Sequence, residues 1–447
     1  MRLRSFPAVA CTATHLAAGL AASPALAAPA RPFALQTVVE SDGPRDPDLI
    51  LAEEPLLRIG IIDGDLEYIF GDVTGAVRLE DGSVVIADEQ SHNVRRFDAS
   101  GRHMWTSGRH GEGPGDYGGL RLLRGCPGAA ITVFDWHLDR ITQLDQDGEV
   151  TDTRPLAPEG VSPYRPPACT ADGDLVFTPW PDFDRTVAPG EHHRWRMELR
   201  VARDGGHVAL RSGIAGTERT RSRGGEAPRT WGRAMVFAVA PTGVWYGSAD
   251  DYELEHVDWT GRVTRIARWA GPDLTVTREH LDSYLDSRLA RYEEPADRRR
   301  FERRWPDIRD GLPEQFPAYE ALLTLPDGSM WVTTYGWRSP EQELHLLDAD
   351  GVWLRRLTMP TGSTVLDAGP DWVLLGQRGE LDVPTVAVYR LVERGGAVRG
   401  RYSNPAAYAT IPASSLTVST WHPFRSSSTS TPCRVQVRYP SAVISIS

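Results

Sequence analysis

At 447 residues, with 49 arginines and no lysine against 60 acidic side chains, the chain carries a formal net charge of −11 at neutral pH. That balance argues against nucleic acid as a partner, since nucleic acid selects basic faces. The absence of lysine excludes every mechanism built on a lysine nucleophile or Schiff base. The chain begins with Met1-Arg2-Leu3-Arg4 ahead of an alanine-rich apolar run ending in Ala25-Leu26-Ala27, the pattern of a secretory signal cleaved after Ala27. Residues 1–27 are therefore expected to be a signal peptide and residues 28–54 a linker. The product is expected to be exported, periplasmic or extracellular. No segment reaches the roughly 18 uninterrupted apolar residues that a membrane span needs, so no membrane span is expected.

From Val73 to Gly119 the sequence has four short strand-type runs, Ala76–Leu79, Val84–Ala87, Val94–Phe97 and His103–Ser107, separated by turns at Asp81-Gly82, Glu89–Asn93 and Gly101. This is a four-stranded antiparallel meander, and alone it would leave an apolar face and two edges bare. The pattern recurs. A second copy spans Leu120–Pro155, with turns at Cys126-Pro127-Gly128 and Asp147-Gly148. A third turns at Asp172-Gly173 and Asp204-Gly205, a fourth at Thr242-Gly243 and Gly261, and a fifth at Asp327-Gly328 and Asp350-Gly351. A sixth copy, Thr364–Leu391, lacks its fourth strand. Leu56–Ile62 can supply it, because Arg58-Ile59-Gly60 followed by Tyr68-Ile69-Phe70-Gly71 echoes Thr106-Ser107-Gly108 followed by Asp116-Tyr117-Gly118. The expected fold is all-β, a six-bladed β-propeller of four-stranded antiparallel blades over residues 55–394, closed by an N-terminal strand. Between blades four and five, Thr277 can cap a helix carrying Leu281, Leu285 and Leu289 until Pro295, and a second short helix can run through Asp297–Trp305. A helical insertion is thus expected over about residues 275–310.

The run Asp81-Gly82-Ser83-Val84-Val85-Ile86-Ala87-Asp88 through Asn93-Val94-Arg95-Arg96-Phe97-Asp98, followed by Gly108-Arg109-His110-Gly111-Glu112-Gly113-Pro114-Gly115-Asp116-Tyr117, resembles bacterial six-bladed β-propeller proteins of NHL-repeat type. The likeness is strong over the first blade, fair over blades two, four and five, and poor over blade three and the last 53 residues. It implies a fold more than a function, because such proteins include interaction scaffolds, lactonases and peptidyl-hydroxyglycine lyases. In the enzymes of that group metal ligands surround the channel mouth. The corresponding positions here are Asp88, His92, Asp135, His137, Asp139, Asp250 and Asp251, which would suit calcium or zinc. The same aspartates also serve as ordinary turn residues. No HExxH and no GxSxG elbow is present.

Insertions fall between strands two and three, or between blades, as in Thr178–Arg194, Gly213–Arg233 and Gly271–Ala318. In an up-and-down meander both kinds of loop emerge on one face, so one face is plain and the other elaborated, and sites sit on such loops. The residues expected to contact a ligand are Asp88, His92, Arg109, His110, Trp136, His137, Asp250 and Trp337. The tryptophans of these loops can equally pack the helices onto the ring. Of the cysteines beyond the signal, Cys126 and Cys169 hold equivalent places in neighbouring blades. A bridge needs Cα atoms within about 7 Å, and inner strands are expected to stand farther apart, so two buried thiols are expected. After Glu393 no acidic residue appears, and Ser, Thr and Pro accumulate over 395–447, a tail expected to lie outside the ring. The function this supports is a monomeric binding module for a protein, peptide or small molecule, without a cofactor. The alternative is a calcium- or zinc-dependent hydrolase or lyase at the channel mouth.

Overall fold

The computed structural model describes residues 36–128, 130–156, 161–181, 187–203, 206–222, 225–337 and 341–395, together with 437–439 and 442–444. The signal-peptide expectation lies outside these residues, as does most of the tail. Three short strands open the described chain: β1 (Thr37–Ser41), β2 (Leu49–Leu51) and β3 (Leu57–Ile59). The first meander follows as β4 (Val73–Arg78), β5 (Val84–Asp88), β6 (Asn93–Phe97) and β7 (His103–Ser107). The second is β8 (Leu120–Leu123), β9 (Ile131–Asp135), β10 (Arg140–Leu144) and β11 (Val150–Pro155). Both are antiparallel throughout.

The third sheet is β12 (Ala168–Cys169), β13 (Leu175–Phe177), β14 (His192–Arg203), β15 (Gly206–Ser222) and β16 (Gly225–Pro228). Its last two strands occupy most of Gly213–Arg233, expected to be a loop, because Thr217–Ser222 continues β15 with polar side chains that carry no apolar alternation. The fourth is β17 (Val236–Ala240), β18 (Gly243–Gly247), β19 (Glu253–Asp258) and β20 (Val263–Trp269). Helices α1 (Arg278–Leu289) and α2 (Pro295–Asp310) come next. Thr277 Oγ1 accepts the His280 N–H at 3.4 Å to start α1. Pro295 opens α2, where its missing N–H costs nothing.

The fifth meander is β21 (Tyr319–Thr324), β22 (Met330–Thr334), β23 (Glu341–Leu347) and β24 (Trp353–Pro360), and the sixth is β25 (Thr364–Ala368), β26 (Trp372–Arg378) and β27 (Pro384–Glu393). A separate hairpin joins β28 (Val437–Tyr439) to β29 (Ala442–Ile444).

The turn between the last two strands of four meanders is built alike. Asp98, Asp145, Asp258 and Asp348 each accept the N–H groups two and four residues on, at 2.9–3.1 Å. The glycine three residues on takes a positive φ of 83–91° that a side chain would resist. Consecutive sheets pack face to face: the first on the second through Val85 and Val133, the second on the third through Phe134 and Leu175. Val176 and Val244, Trp245 and Met330, and Leu344 and Leu375 continue the series. The sixth meander returns to the first through Leu374, Val386, Ile86 and Phe97. This is the architecture of an all-β propeller, and each large apolar side chain so buried contributes about 1.5–3 kcal/mol.

Strand β3 runs antiparallel to β27, with Ile59 opposite Val386. The stretch 28–54, expected to be a linker, instead carries two paired strands. β1 adds in parallel to β20, Thr37 opposite Arg265, and β2 lies between β24 and β27, Leu49 opposite Leu357 on one side and Glu393 on the other. Edge strands with free N–H and C=O groups attract such additions. The expected pair of thiols is likewise corrected: Cys126 and Cys169 form a disulfide, because the turn after β8 brings their Cα atoms to 5.0 Å. The bridge closes a 43-residue separation, so replacing both cysteines by serine is expected to lower the unfolding free energy by about 4 kcal/mol. Urea denaturation with and without reductant checks this, and an unchanged midpoint on reduction would show that the thiols are not bridged in solution.

Candidate functional site

The inner strands of the meanders run the same way, and their C-terminal ends share one layer. Arg78, Arg124, Cys169, Val239, Thr324 and Asp367 each stand four residues before the turn residue Gly82, Gly128, Gly173, Gly243, Gly328 or Asp371. These six positions are stitched together. Arg124 reaches from the second meander to the Thr324 carbonyl of the fifth at 3.3 Å and the Ala368 carbonyl of the sixth at 3.2 Å, and pairs with Asp367 at 2.5 Å. Asp367 also accepts the Arg78 N–H at 2.8 Å, and Thr324 Oγ1 donates to the Val239 carbonyl at 2.7 Å. The disulfide ties Cys169 to the turn after Arg124. Burial raises the Asp367 pKa while Arg124 opposes the rise. The centre of the ring is thus crossed by side chains at the short-turn end.

At the other end the residues expected to bind a ligand fall into separate groups. Asp88 is fully buried. Its oxygens accept from the N–H groups of Gly71, Asp72 and Gln90, from Ser91 Oγ and from Arg95, so it braces the loops. Asp135 does the same in the second meander, accepting from the N–H groups of Gly118, Gly119, His137 and Leu138. His92, at φ 50°, packs its ring edge-on against His110 at 4.6 Å, and its Nδ1 is buried without a hydrogen-bond partner among the described residues. Arg109 is exposed and pairs with Asp116 at 2.9 Å. Trp136 stacks edge-on with exposed His137 at 3.9 Å. A Cβ on Gly119 would lie 2.4 Å from the indole nitrogen, so only glycine fits there.

Asp250 receives both its oxygens' bonds from Arg194 Nη1, at 2.6 and 2.8 Å, with Arg233 at 3.0 Å and Ser248 Oγ at 2.6 Å. Burial works against its charge, but these donors hold its carboxyl below the usual carboxylate range. It borders a cleft of about 350 Å³ between β15 and the β18–β19 hairpin. Trp337 packs against Trp231 at 5.0 Å and Tyr284 of α1 at 5.7 Å. It joins the cluster that seats both helices, with Leu281, Leu285, Leu289 and Trp305 packed on it.

A metal fits these carboxylates poorly. The oxygens of Asp88, Asp135 and Asp250 are filled by protein donors, Asp139 is engaged by Ser162 Oγ, and no group of three or more His, Cys, Asp or Glu able to hold a metal ion occurs among the described residues.

Two ionisable side chains with shifted pKa values were missing from the sequence reading. Counting back four residues from the shut layer gives Arg165, in the bend before β12, and Glu320, at the register shift in β21. Arg165 is half-buried and Glu320 is exposed. Burial lowers the Arg165 pKa and raises that of Glu320, whose Oε1 accepts from Gln342 Nε2 at 2.9 Å. Nearby at the rim, burial and Glu89 raise the Asp72 pKa while Arg121 and Arg378 oppose the rise, and Arg121 pairs with Glu89. Aligning the repeats on their turns would have revealed the layer that holds Arg124 and Asp367.

No family model matches the chain, and no curated protein matches it. Among solved structures it is similar to a member of the DUF4221 family from Bacteroides vulgatus, at 12% identity, 78% of this chain, 99% of that one and a TM-score of 0.45. Regucalcin, a calcium-binding protein from Agrobacterium tumefaciens, aligns at 14% identity over 80% of this chain and 98% of its own, with a TM-score of 0.34. Virginiamycin B lyase from Staphylococcus aureus aligns at 10% identity over 77% of this chain and 100% of its own, with a TM-score of 0.38. The propeller architecture rests on the sheets and their packing.

Removing the guanidinium that crosses the channel would leave Asp367, 2% exposed, without its counter-charge. Arg124→Met is expected to cost about 3 kcal/mol at neutral pH. Because the folded-state pKa of Asp367 is raised, protonation favours the folded form, so the deficit relative to wild type should shrink as pH falls from 7 towards 4. Urea titrations across that range measure it; a deficit that stays constant with pH would show that Asp367 is not the group left uncompensated.

Proposed function

We propose that the chain is an exported, six-bladed β-propeller of NHL-repeat type, with a helical insertion between blades four and five. It acts as a monomeric binding module through its loop-bearing face, for a protein, peptide or small molecule. The observation that carries this reading is the saturation of the strand-end carboxylates by protein donors, set against a channel barred at the short-turn end. A hydrolase or lyase working through calcium or zinc needs carboxylate or imidazole lone pairs aimed at the ion, and Asp88 and Asp135 have spent theirs on backbone N–H groups. Binding needs only a rigid ring and a reachable rim. Asp88, His92, Arg109, His110, Trp136, His137, Asp250 and Trp337 are its proposed contacts, with Asp88 contributing by bracing the loops and Trp337 through the seat of the helices.

The test is a thermal-shift screen of saccharides, peptides and organic acids on wild-type protein, repeated on variants of the two faces. Stabilisation by a hit is expected to fall in His137→Ala and Arg109→Ala and to persist in Arg102→Ala and Glu149→Ala, which lie by the short turns. A hit that responds only to the short-turn changes overturns the assignment of the face. Stoichiometric calcium or zinc in the purified protein would favour the enzyme instead.

A further inference from the structure

A buried imidazole joins the fourth and fifth meanders. His345 of β23 is fully buried, and its Nδ1 lies 2.9 Å from the indole nitrogen of Trp269 at the end of β20. An indole N–H can only donate, so Nδ1 accepts and carries no proton. The proton of the neutral ring then sits on Nε2, which donates to Glu343 Oε2 at 2.9 Å. Both nitrogens are satisfied in this neutral form. A second proton would enter at Nδ1 and face the indole N–H donor to donor, and the buried Trp269 group would lose its acceptor.

The same ring backs the place where the N-terminal segment passes from one meander to the next. Trp353, at the start of β24, packs against His345 with ring centroids 4.4 Å apart. Ser41, the last residue of β1, is held by the backbone beside these two tryptophans. It stands opposite Trp269 in the strand pairing, its carbonyl accepts the Ala270 N–H at 3.0 Å, and its hydroxyl oxygen accepts the Trp353 N–H at 3.2 Å. Four residues on, the Arg45 N–H reaches the Trp353 carbonyl at 3.1 Å. The hold on Ser41 therefore depends on where Trp269 and Trp353 sit, and His345 touches both.

Four ionisable groups surround the ring. Glu343 lies on its own strand; Arg356, opposite His345 on β24, stands 3.6 Å from Glu343 and pairs at 2.6 Å with Asp48 just ahead of β2; the Tyr252 ring lies 6.2 Å away. The carboxylates favour a charged imidazole and Arg356 opposes one, but burial is the largest effect and lowers the His345 pKa. A histidine whose folded-state pKa is lowered contributes fully above its unfolded value, about 6.5, and that contribution is lost as pH falls from there towards the folded value. Glu343 is held below the usual carboxylate range, chiefly by its bond to His345, so it stays ionised where the imidazole begins to titrate.

We infer that His345 is an acid-sensitive clasp: its neutral ring fastens the end of β1 into the seam between the fourth and fifth meanders, and protonation loosens that seam while the others hold. The device goes beyond the proposed binding role and does not depend on what the loop-bearing face binds.

The test is deuterium exchange of the full chain, read by mass spectrometry at about pH 7 and about pH 5 and corrected for the pH dependence of intrinsic exchange. Peptides covering β1 and Trp269 should lose protection by about tenfold at the lower pH, the scale of one buried hydrogen bond left unmade. Peptides covering β5 and β6 of the first meander should keep theirs. In His345→Gln the side-chain amide can accept from Trp269 and donate to Glu343 without titrating, so the pH response of β1 should vanish. Circular-dichroism melting confirms that the variant folds. Should it not fold, Trp269→Phe removes the opposing N–H and should shrink the response instead. Protection of β1 that is equal at the two pH values in wild type, that falls equally in every meander, or that falls undiminished in the variant overturns the inference.

Discussion

The ring depends on one ion pair laid across its centre. Arg124 leaves the second meander and ends among carbonyl groups of the fifth and sixth, with its charge balanced by Asp367. Sheets that pack only on their neighbours can slide or splay, since apolar packing is not directional. A guanidinium with three acceptors in three defined places is directional, and it fixes opposite sides of the ring relative to one another. The same contact crosses the centre of the ring at the short-turn end. Stability comes chiefly from the apolar clusters between sheets; what the charged layer adds is a single arrangement for those clusters to adopt, and a floor for the space above.

Above that floor the loops are held as firmly as the strands. Asp88 and Asp135 each draw together the start of one inner strand and the loop after the next strand, using several backbone N–H groups at once. Arg140 pins the glycine-rich loop by donating to the carbonyls of Glu112 and Gly113, at 2.8 and 2.7 Å, and to that of Asp116. Loops fixed in this way lose little conformational entropy when a ligand arrives, which favours binding. The aromatic cluster of Trp231, Tyr284, Phe316 and Trp337 does the corresponding work for the helices.

Most of the strands were legible because each meander carries its own turn chemistry. Asp81-Gly82, Asp327-Gly328 and the Asp-x-x-Gly turns ending in Gly101, Gly148, Gly261 and Gly351 act through neighbouring residues, so a linear reading finds them. What was missed depends on partners far away in sequence. β1 and β2 are short and pair in parallel with β20 and β24, and a parallel addition has no turn to announce it. The Cys126–Cys169 distance depends on how two sheets meet. Arg124 and Asp367 look like ordinary surface charges until the repeats are superposed. Asp88 and Asp135 were conspicuous in the sequence as strand-end carboxylates, and what that reading could not supply was the set of backbone N–H groups each of them holds.

The N-terminal strands also govern the order in which the molecule can form. Arg58 bonds the Tyr389 hydroxyl across 331 residues of sequence, and β1 and β2 wait for β20, β24 and β27. Strand β1 therefore has no partner until the fourth meander is made, and β2 and β3 lack their β27 partner until the sixth. Each meander can assemble from local contacts, whereas closure requires ends separated by most of the chain, and such long-range contacts are slow to form. Until then β27 presents an open edge to any other extended segment. The ring is a fold whose final step is a race between its own beginning and its neighbours.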